Sequence, residues 1–237
     1  MTIEEYFGKW MKVIDKDELK RVLFKLKKVH PSLLCPSMPD IFRAFELCPY
    51  DKCKVVFIGQ DPYPQKGVAT GILFGNRKEV DEDNLSPSLQ VIKESVINFE
   101  IPHNFITFDN SLESWAEQGI LMINSALTCE MNKANSHVIL WRPFMTKFLK
   151  ELSNRETGLI YVLFGKRAQT LNPYINQQFN DIIKVEYPAY FARIHEKLPY
   201  HIWGDINRLL KGKYNEEIIW FNELKFDDNE KREKTDC

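Results

Sequence analysis

Val55-Val56-Phe57-Ile58 followed by Gly59-Gln60-Asp61-Pro62-Tyr63-Pro64 is the stretch that decides the fold. Four apolar residues end abruptly on a glycine, a stiff proline and a single acid. A run this short, bounded by turn residues, reads as a strand covered on both faces, as in a parallel sheet. Three more runs of the same kind follow. They are Ile120-Leu121-Met122-Ile123, Leu159 to Phe164, and Ile182-Ile183-Lys184-Val185. Helical patterns separate them. Leu19, Val22, Leu23 and Leu26 mark an amphipathic helix over 16–28 with lysines on its solvated face. Residues 87–99 form a second. Asn110 to Gln118 reads as a third, opened by an Asn110/Glu113 capping box and closed by Gly119. Trp141, Phe144, Met145, Phe148, Leu149 and Leu152 give a fourth its apolar face. Strands alternating with helices predict an α/β three-layer sandwich with a central four-stranded parallel sheet flanked by helices.

In such sheets ligands bind beyond the carboxyl ends of the strands. The unusual loops fall at those ends: 59–64, 124–137, 165–167 and 187–189. They are expected to converge on one site.

The chain has 237 residues, 44% hydrophobic and 27% charged, enough for one large core. No apolar stretch nears the roughly 18 residues of a membrane span. The first residues, Met1-Thr2-Ile3-Glu4-Glu5, have no signal-peptide character, so a cytoplasmic protein is expected. The Lys, Ile and Asn content suits an AT-rich bacterium or its phage. Five scattered cysteines (Cys35, Cys48, Cys53, Cys129, Cys237) read as reduced thiols, and no set of four converging ligands predicts zinc. The net charge is −1. Setting aside 225–237, which holds four basic and five acidic residues, leaves 28 of each sign. Contact with a polyanion must therefore come from a local patch and backbone N–H groups. Residues 1–224 are expected to form one domain, with 225–237 a charged, disordered tail.

Gln60-Asp61-Pro62-Tyr63 resembles the water-activating loop of the family-1 uracil-DNA glycosylases. Gly71-Ile72-Leu73-Phe74 is similar to that family's base-stacking segment, and Pro87-Ser88-Leu89 to its Pro-Ser-Leu turn. Leu112 to Asn124 is similar almost throughout, and Leu127-Thr128, Asn135-Ser136-His137, Phe164-Gly165 and Ala168-Gln169 continue the series. The resemblance runs in order from Trp10 to Trp220.

The resemblance implies a monofunctional glycosylase that flips uracil from DNA and hydrolyses its N-glycosidic bond without cofactor or metal. It implies Asp61 as the carboxylate that orients water and supports the sugar cation. Asn124 reads the uracil edge, Tyr63 excludes the thymine methyl and Phe74 stacks on the ring. Backbone N–H groups of Gln60 and Asn124 donate to the leaving anion. Ser88, Ser136 and His137, with nearby backbone amides, are implied to pinch DNA phosphates, and Pro87 and Ala189 to contact DNA. The implied partners are uracil-containing single- and double-stranded DNA and a uracil-DNA-mimicking inhibitor protein, with the enzyme a monomer.

One segment departs from the pattern. Where the family has His-Pro-Ser-Pro-Leu, this chain has Tyr187-Pro188-Ala189-Tyr190-Phe191. The catalytic His is missing, and Tyr187, whose phenol is neutral at pH 7, takes its place either as a substitute donor or as packing. Phe191 stands where the family's wedge residue does. Pro64 also replaces a His. A DNA-binding scaffold of the same fold, with weak or no glycosylase activity, is the alternative. Altered base choice is disfavoured by Asn124 and Tyr63, and a nucleotide-binding protein by the absence of a Gly-rich phosphate loop.

Overall fold

The computed structural model describes residues 2–100, 105–199 and 201–223. The 225–237 tail lies outside them. In chain order the helices are α1 (Ile3–Phe7), α2 (Lys16–Leu26), α3 (Arg43–Leu47), α4 (Pro87–Phe99), α5 (Glu113–Glu117), α6 (Val138–Arg155), α7 (Gly165–Gln169), α8 (Pro188–Ile194) and α9 (His201–Tyr214). The strands are β1 (Leu34–Cys35), β2 (Val55–Gly59), β3 (Ile106–Thr107), β4 (Ile120–Asn124), β5 (Cys129–Glu130), β6 (Ile160–Phe164), β7 (Asp181–Val185) and β8 (Asn222–Glu223).

The four expected strands form one parallel sheet in the order β4-β2-β6-β7. Alternate side chains along each strand enter opposite layers. Val56, Ile58, Leu121, Ile123, Tyr161 and Leu163 join the core under α2 and α6. Val55, Phe57, Ile120, Met122, Ile160 and Val162 join the core under α4 and α9. The second layer centres on Trp115, Trp203 and Trp220, whose ring centroids lie 5.0–5.6 Å apart. Two of these indoles donate outward, Trp115 to the Trp220 carbonyl and Trp203 to Ser95 Oγ, each at 2.9 Å. Two short antiparallel pairs, β1 with β5 and β3 with β8, lie outside the main sheet.

Two local expectations need correction. The strand over 182–185 was expected to be covered on both faces, yet β7 is an edge strand of which only Val185 is buried. Its exposed Lys184 is the kind of charge that blunts an edge. The Asn110/Glu113 capping box does not form. Asp109 does that work, accepting from the Ser111 N–H at 2.9 Å and the Ser114 N–H at 2.8 Å. Asn110 Nδ2 instead donates to Glu82, and Glu113 pairs with Arg43 and Lys78. Leu112, at φ 58°, shortens the helix to Glu113–Glu117. Gly119 does close it, at φ 100°, where an added Cβ would meet the Lys52 carbonyl at 2.2 Å.

Candidate active site

The carboxyl ends of β2, β4 and β6 are neighbours in the sheet, so the loops that leave them meet. Gly59 and Asn124 are paired across β2 and β4. A Cβ on Gly59 would stand 2.1 Å from Leu73 Cδ1 and 2.8 Å from Asn124 Oδ1. The glycine that ends the first apolar run therefore leaves room for two pocket side chains, which would have to shift to admit a Cβ. Beyond this pair lies a cleft enclosing about 380 Å³ of empty space, its open mouth included. Asp61, Tyr63, Phe74, Asn124 and Tyr187 all line it, together with Pro62, the Ala69–Leu73 segment, Ile41 and Leu127. Three of the four expected strand-end loops, 59–64, 124–137 and 187–189, supply lining residues, whereas no residue of 165–167 lines the cleft.

Asp61 is half-buried at the end of the cleft. Its Oδ2 accepts the Asn135 backbone N–H at 2.6 Å. Burial raises its pKa, against which the Asn135 N–H and the Arg167 charge act. Asn135 reaches this position in the left-handed region, φ 67°, which asparagine tolerates. Thiols sit beneath the same loop. Cys129 Sγ lies 3.5 Å from the Pro62 carbonyl and Cys35 Sγ 3.7 Å from the Pro64 carbonyl, and the two residues are direct partners across β1 and β5. Burial, with Asp61 and Cys35 adding, pushes the Cys129 thiol up to about 12, so it stays protonated.

Asn124 ends β4 with 9% of its surface exposed, and its Oδ1 is buried without a hydrogen-bond partner among the described residues. Phe74 is held at φ 65°, a conformation costly for an aromatic residue and tolerated where surroundings impose it. Three contacts impose it. Its ring meets Phe164 edge-on at 5.1 Å and Tyr187 at 5.7 Å, and its carbonyl accepts from the Tyr63 hydroxyl at 3.3 Å.

Tyr63 and Tyr187 share a buried hydroxyl network. Ser86 Oγ lies 2.6 Å from the Tyr63 hydroxyl and 2.7 Å from Asn76 Oδ1. Burial pushes Tyr63 up to about 12, against the Ser86 and Ser88 hydroxyls. Burial also raises Tyr187, with Tyr63 and Asp61 reinforcing and the Ser88 hydroxyl opposing. Both phenols are protonated donors at neutral pH.

The remaining expected residues are distributed unevenly. Gln60 is not among the cleft-lining residues. Its carbonyl accepts from Ser125 Oγ at 2.6 Å, and its side chain packs beside Gly165. Pro87 is exposed at the start of α4, whereas Ser88 is only 2% exposed and turned toward the two tyrosines. Ser136 is exposed, its Oγ accepting the Glu130 N–H at 2.7 Å. His137 is buried. Its Nδ1 lies 2.9 Å from Thr128 Oγ1, which also takes the Trp141 indole N–H at 2.8 Å. Burial lowers the His137 pKa against the pull of Glu130, leaving the ring neutral. Ala189 is half-buried in the first turn of α8, and Phe191 packs against the core beside α4. Sequence reasoning missed Ile41, the Ala69–Thr70 segment and the part played by the Asn135 N–H, and gave Leu127 no role in the lining. A backbone donor leaves no signal in residue type. Among the described residues, no group of three His, Cys, Asp or Glu side chains is arranged to hold a metal ion.

A parallel α/β sandwich thus carries a carboxylate, a buried amide oxygen without a hydrogen-bond partner among the described residues, and aromatic walls in one cleft at its strand ends. The family model of the Uracil DNA glycosylase superfamily matches residues 45–216. The chain belongs to that superfamily. It is 31% identical to the uracil-DNA glycosylase of Alkaliphilus metalliredigens over 220 residues, 89% of this chain and 93% of that one. To uracil-DNA glycosylase 1 of Listeria innocua it is 36% identical over 188 residues, 78% and 82% of the two chains. The mimivirus uracil-DNA glycosylase structure superposes with a TM-score of 0.71 at 21% identity, covering 93% of both chains. A mimivirus UNG variant solved in complex with UGI gives a TM-score of 0.76 at 25% identity, covering 92% and 87%.

Proposed function

We propose that this chain flips uracil out of single- or double-stranded DNA and hydrolyses the bond between the sugar C1′ and uracil N1, leaving an abasic site. The observation that carries the reading is Asn124 Oδ1, a buried acceptor with no partner that lines the cleft. A buried polar atom left unpaired costs roughly 1–3 kcal/mol, so the site is built for a ligand that supplies an N–H. Uracil N3–H meets that need while the Asn124 amide N–H₂ donates to O4. Cytosine offers the opposite pattern and leaves both partners unpaired.

In the proposed reaction Asp61 is ionised. It orients the attacking water and supports positive charge on the sugar as the C1′–N1 bond breaks. The bonding pair leaves with uracil as an anion, water adds at C1′, and the water proton passes to Asp61. Tyr187 donates from its protonated phenol to the developing charge on uracil O2, in place of the missing His, and Ser88 holds that phenol in position. Backbone N–H groups of Gln60 and Asn124 assist. Phe74 stacks on the ring, and Tyr63 blocks a methyl at C5. Exposed Pro87 and Ser136, with Ala189 and the backbone amides beside Ser88 and His137, are proposed to face DNA phosphates. We place the protein in the cytoplasm as a monomer, open to inhibition by a protein that mimics uracil-DNA.

The test is a uracil-containing oligonucleotide treated with the protein in EDTA, then with alkali to cleave abasic sites. Strand cleavage at uracil, with cytosine and thymine strands intact, is expected. Complete inactivity of folded protein at stoichiometric amounts would turn the reading to a DNA-binding scaffold.

A further inference from the structure

An extruded base leaves a gap in the DNA stack, and the base falls back unless something fills it. The filler must be flat or apolar, exposed in the free protein, and mounted on a rigid element at the rim of the pocket. Among the described residues the exposed aromatic side chains are Phe24, Phe105, Tyr174, Phe179 and Tyr190. Of these five, Tyr190 alone lies within three residues of a side chain that lines the cleft; among the exposed aliphatic side chains Met38 does so too, beside Ile41, but it sits on a single 3-10 turn and not on an α-helix. It is 43% exposed, and its N–H donates to the Tyr187 carbonyl at 2.8 Å, which closes the first turn of α8 on the cleft wall. Ile194, four residues on and 40% exposed, continues an apolar ridge along the same helix face. Phe191 is placed differently. It is half-buried and packed against the core cluster shared by α4 and α9. Its ring meets Tyr190 edge-on at 5.6 Å and so serves as a buttress.

We infer that Tyr190, rather than Phe191, is the side chain that enters the base stack, and that this position sets the balance between paired and unpaired uracil as substrate. The inference rests on the glycosylase reading. A stacked base must be displaced only in duplex DNA, so the wedge contributes most there. Phe191 holds the wedge upright through core packing.

The experiment measures single-turnover uracil release from three substrates: a U·A duplex, the same strand alone, and a duplex with uracil in an unpaired bubble. Tyr190→Ala is expected to lower the duplex-to-single-strand rate ratio by about fivefold or more, the low end of what one base–aromatic stack is worth. The bubble is expected to recover most of that loss, because its uracil is already unstacked. Tyr190→Phe, which keeps the ring, is expected to keep the ratio. Phe191→Ala is expected to lower the melting temperature, as removal of a packed ring does. An unchanged ratio in Tyr190→Ala, or a ratio that falls for Phe191→Ala instead, overturns the inference while leaving the glycosylase reading intact. A wild-type protein inert on all three substrates removes that reading and the inference with it.

Discussion

The proposed reaction needs Asp61 charged, yet its surroundings disfavour charge. Burial raises its pKa, with the Asn135 N–H and Arg167 only partly offsetting it. The folded protein therefore holds the Asp61 proton to higher pH than the unfolded chain does, and across that window stability falls as pH rises. Two outcomes follow for Asp61→Asn. Its single-turnover rate is expected to drop at least about a hundredfold with DNA binding nearly unchanged. Its melting temperature near neutral pH is expected to rise above wild type, because the buried charge is gone. That gain should shrink as pH is lowered through the raised pKa. In the wild type, the acid limb of kcat/KM should fall above the ordinary aspartate value of about 4. A variant as active as wild type would remove Asp61 from the chemistry. Tyr187 poses the complementary question, since its phenol is protonated and lines the cleft. Tyr187→Phe keeps the ring contact with Phe74 and deletes one donor, which typically costs roughly 10²–10³ in rate. Tyr187→His is expected to raise the rate. Single-turnover kinetics reads both without interference from product release, and a Tyr187→Phe rate within a few-fold of wild type would make the residue packing alone.

At the scale of elements, the β6–α7 junction shows how one backbone position holds two loops. Gly165 lies at φ 81°, and an added Cβ would stand 2.7 Å from Gln60 Nε2 and 2.9 Å from Tyr187 Cβ. Gln60 can swing its amide away; the Tyr187 Cβ moves only with the backbone of α8. Gly165→Ala is therefore expected to cost roughly 1–2 kcal/mol from the left-handed backbone alone. It should also slow uracil release by displacing Tyr187 from the cleft. Calorimetry and the oligonucleotide assay measure the two effects, and an Ala variant with wild-type Tm and rate would show that the junction yields freely. The same element illustrates a limit of local reading. Phe164-Gly165 carries a strand end and a turn in its residue types, but nothing in that dipeptide says which two side chains the glycine must admit. The helix over 110–118 shows the converse. Asn110 and Glu113 have the right spacing for a capping box, yet longer-range partners at Glu82, Arg43 and Lys78 take both side chains. Asp109 is left to hold the turn.

Across the whole molecule, the near-zero net charge and the two apolar layers leave function to one rim of the sheet. The chain's own residue pattern determined that much. Four short apolar runs between turn residues marked the parallel sheet, and for β2, β4 and β6 the reason holds, since a strand buried on both faces leaves no polar period. Gly59, Asp61, Asn124 and Tyr187 were legible as strand-end residues, and in a parallel sheet strand ends lie on one side. Only the tertiary structure decided the strand order, the edge position of β7 and the exposure of each side chain at the rim. Ser88 and His137 read as surface contacts and are buried, while Tyr190 is more exposed than Phe191. The physical reason is common to these cases. Periodicity and motif spacing report what a residue's neighbours in the chain require. Burial depends on which distant segment packs over it, and hydrogen-bond partners such as the Asn135 N–H for Asp61 depend on where a loop closes.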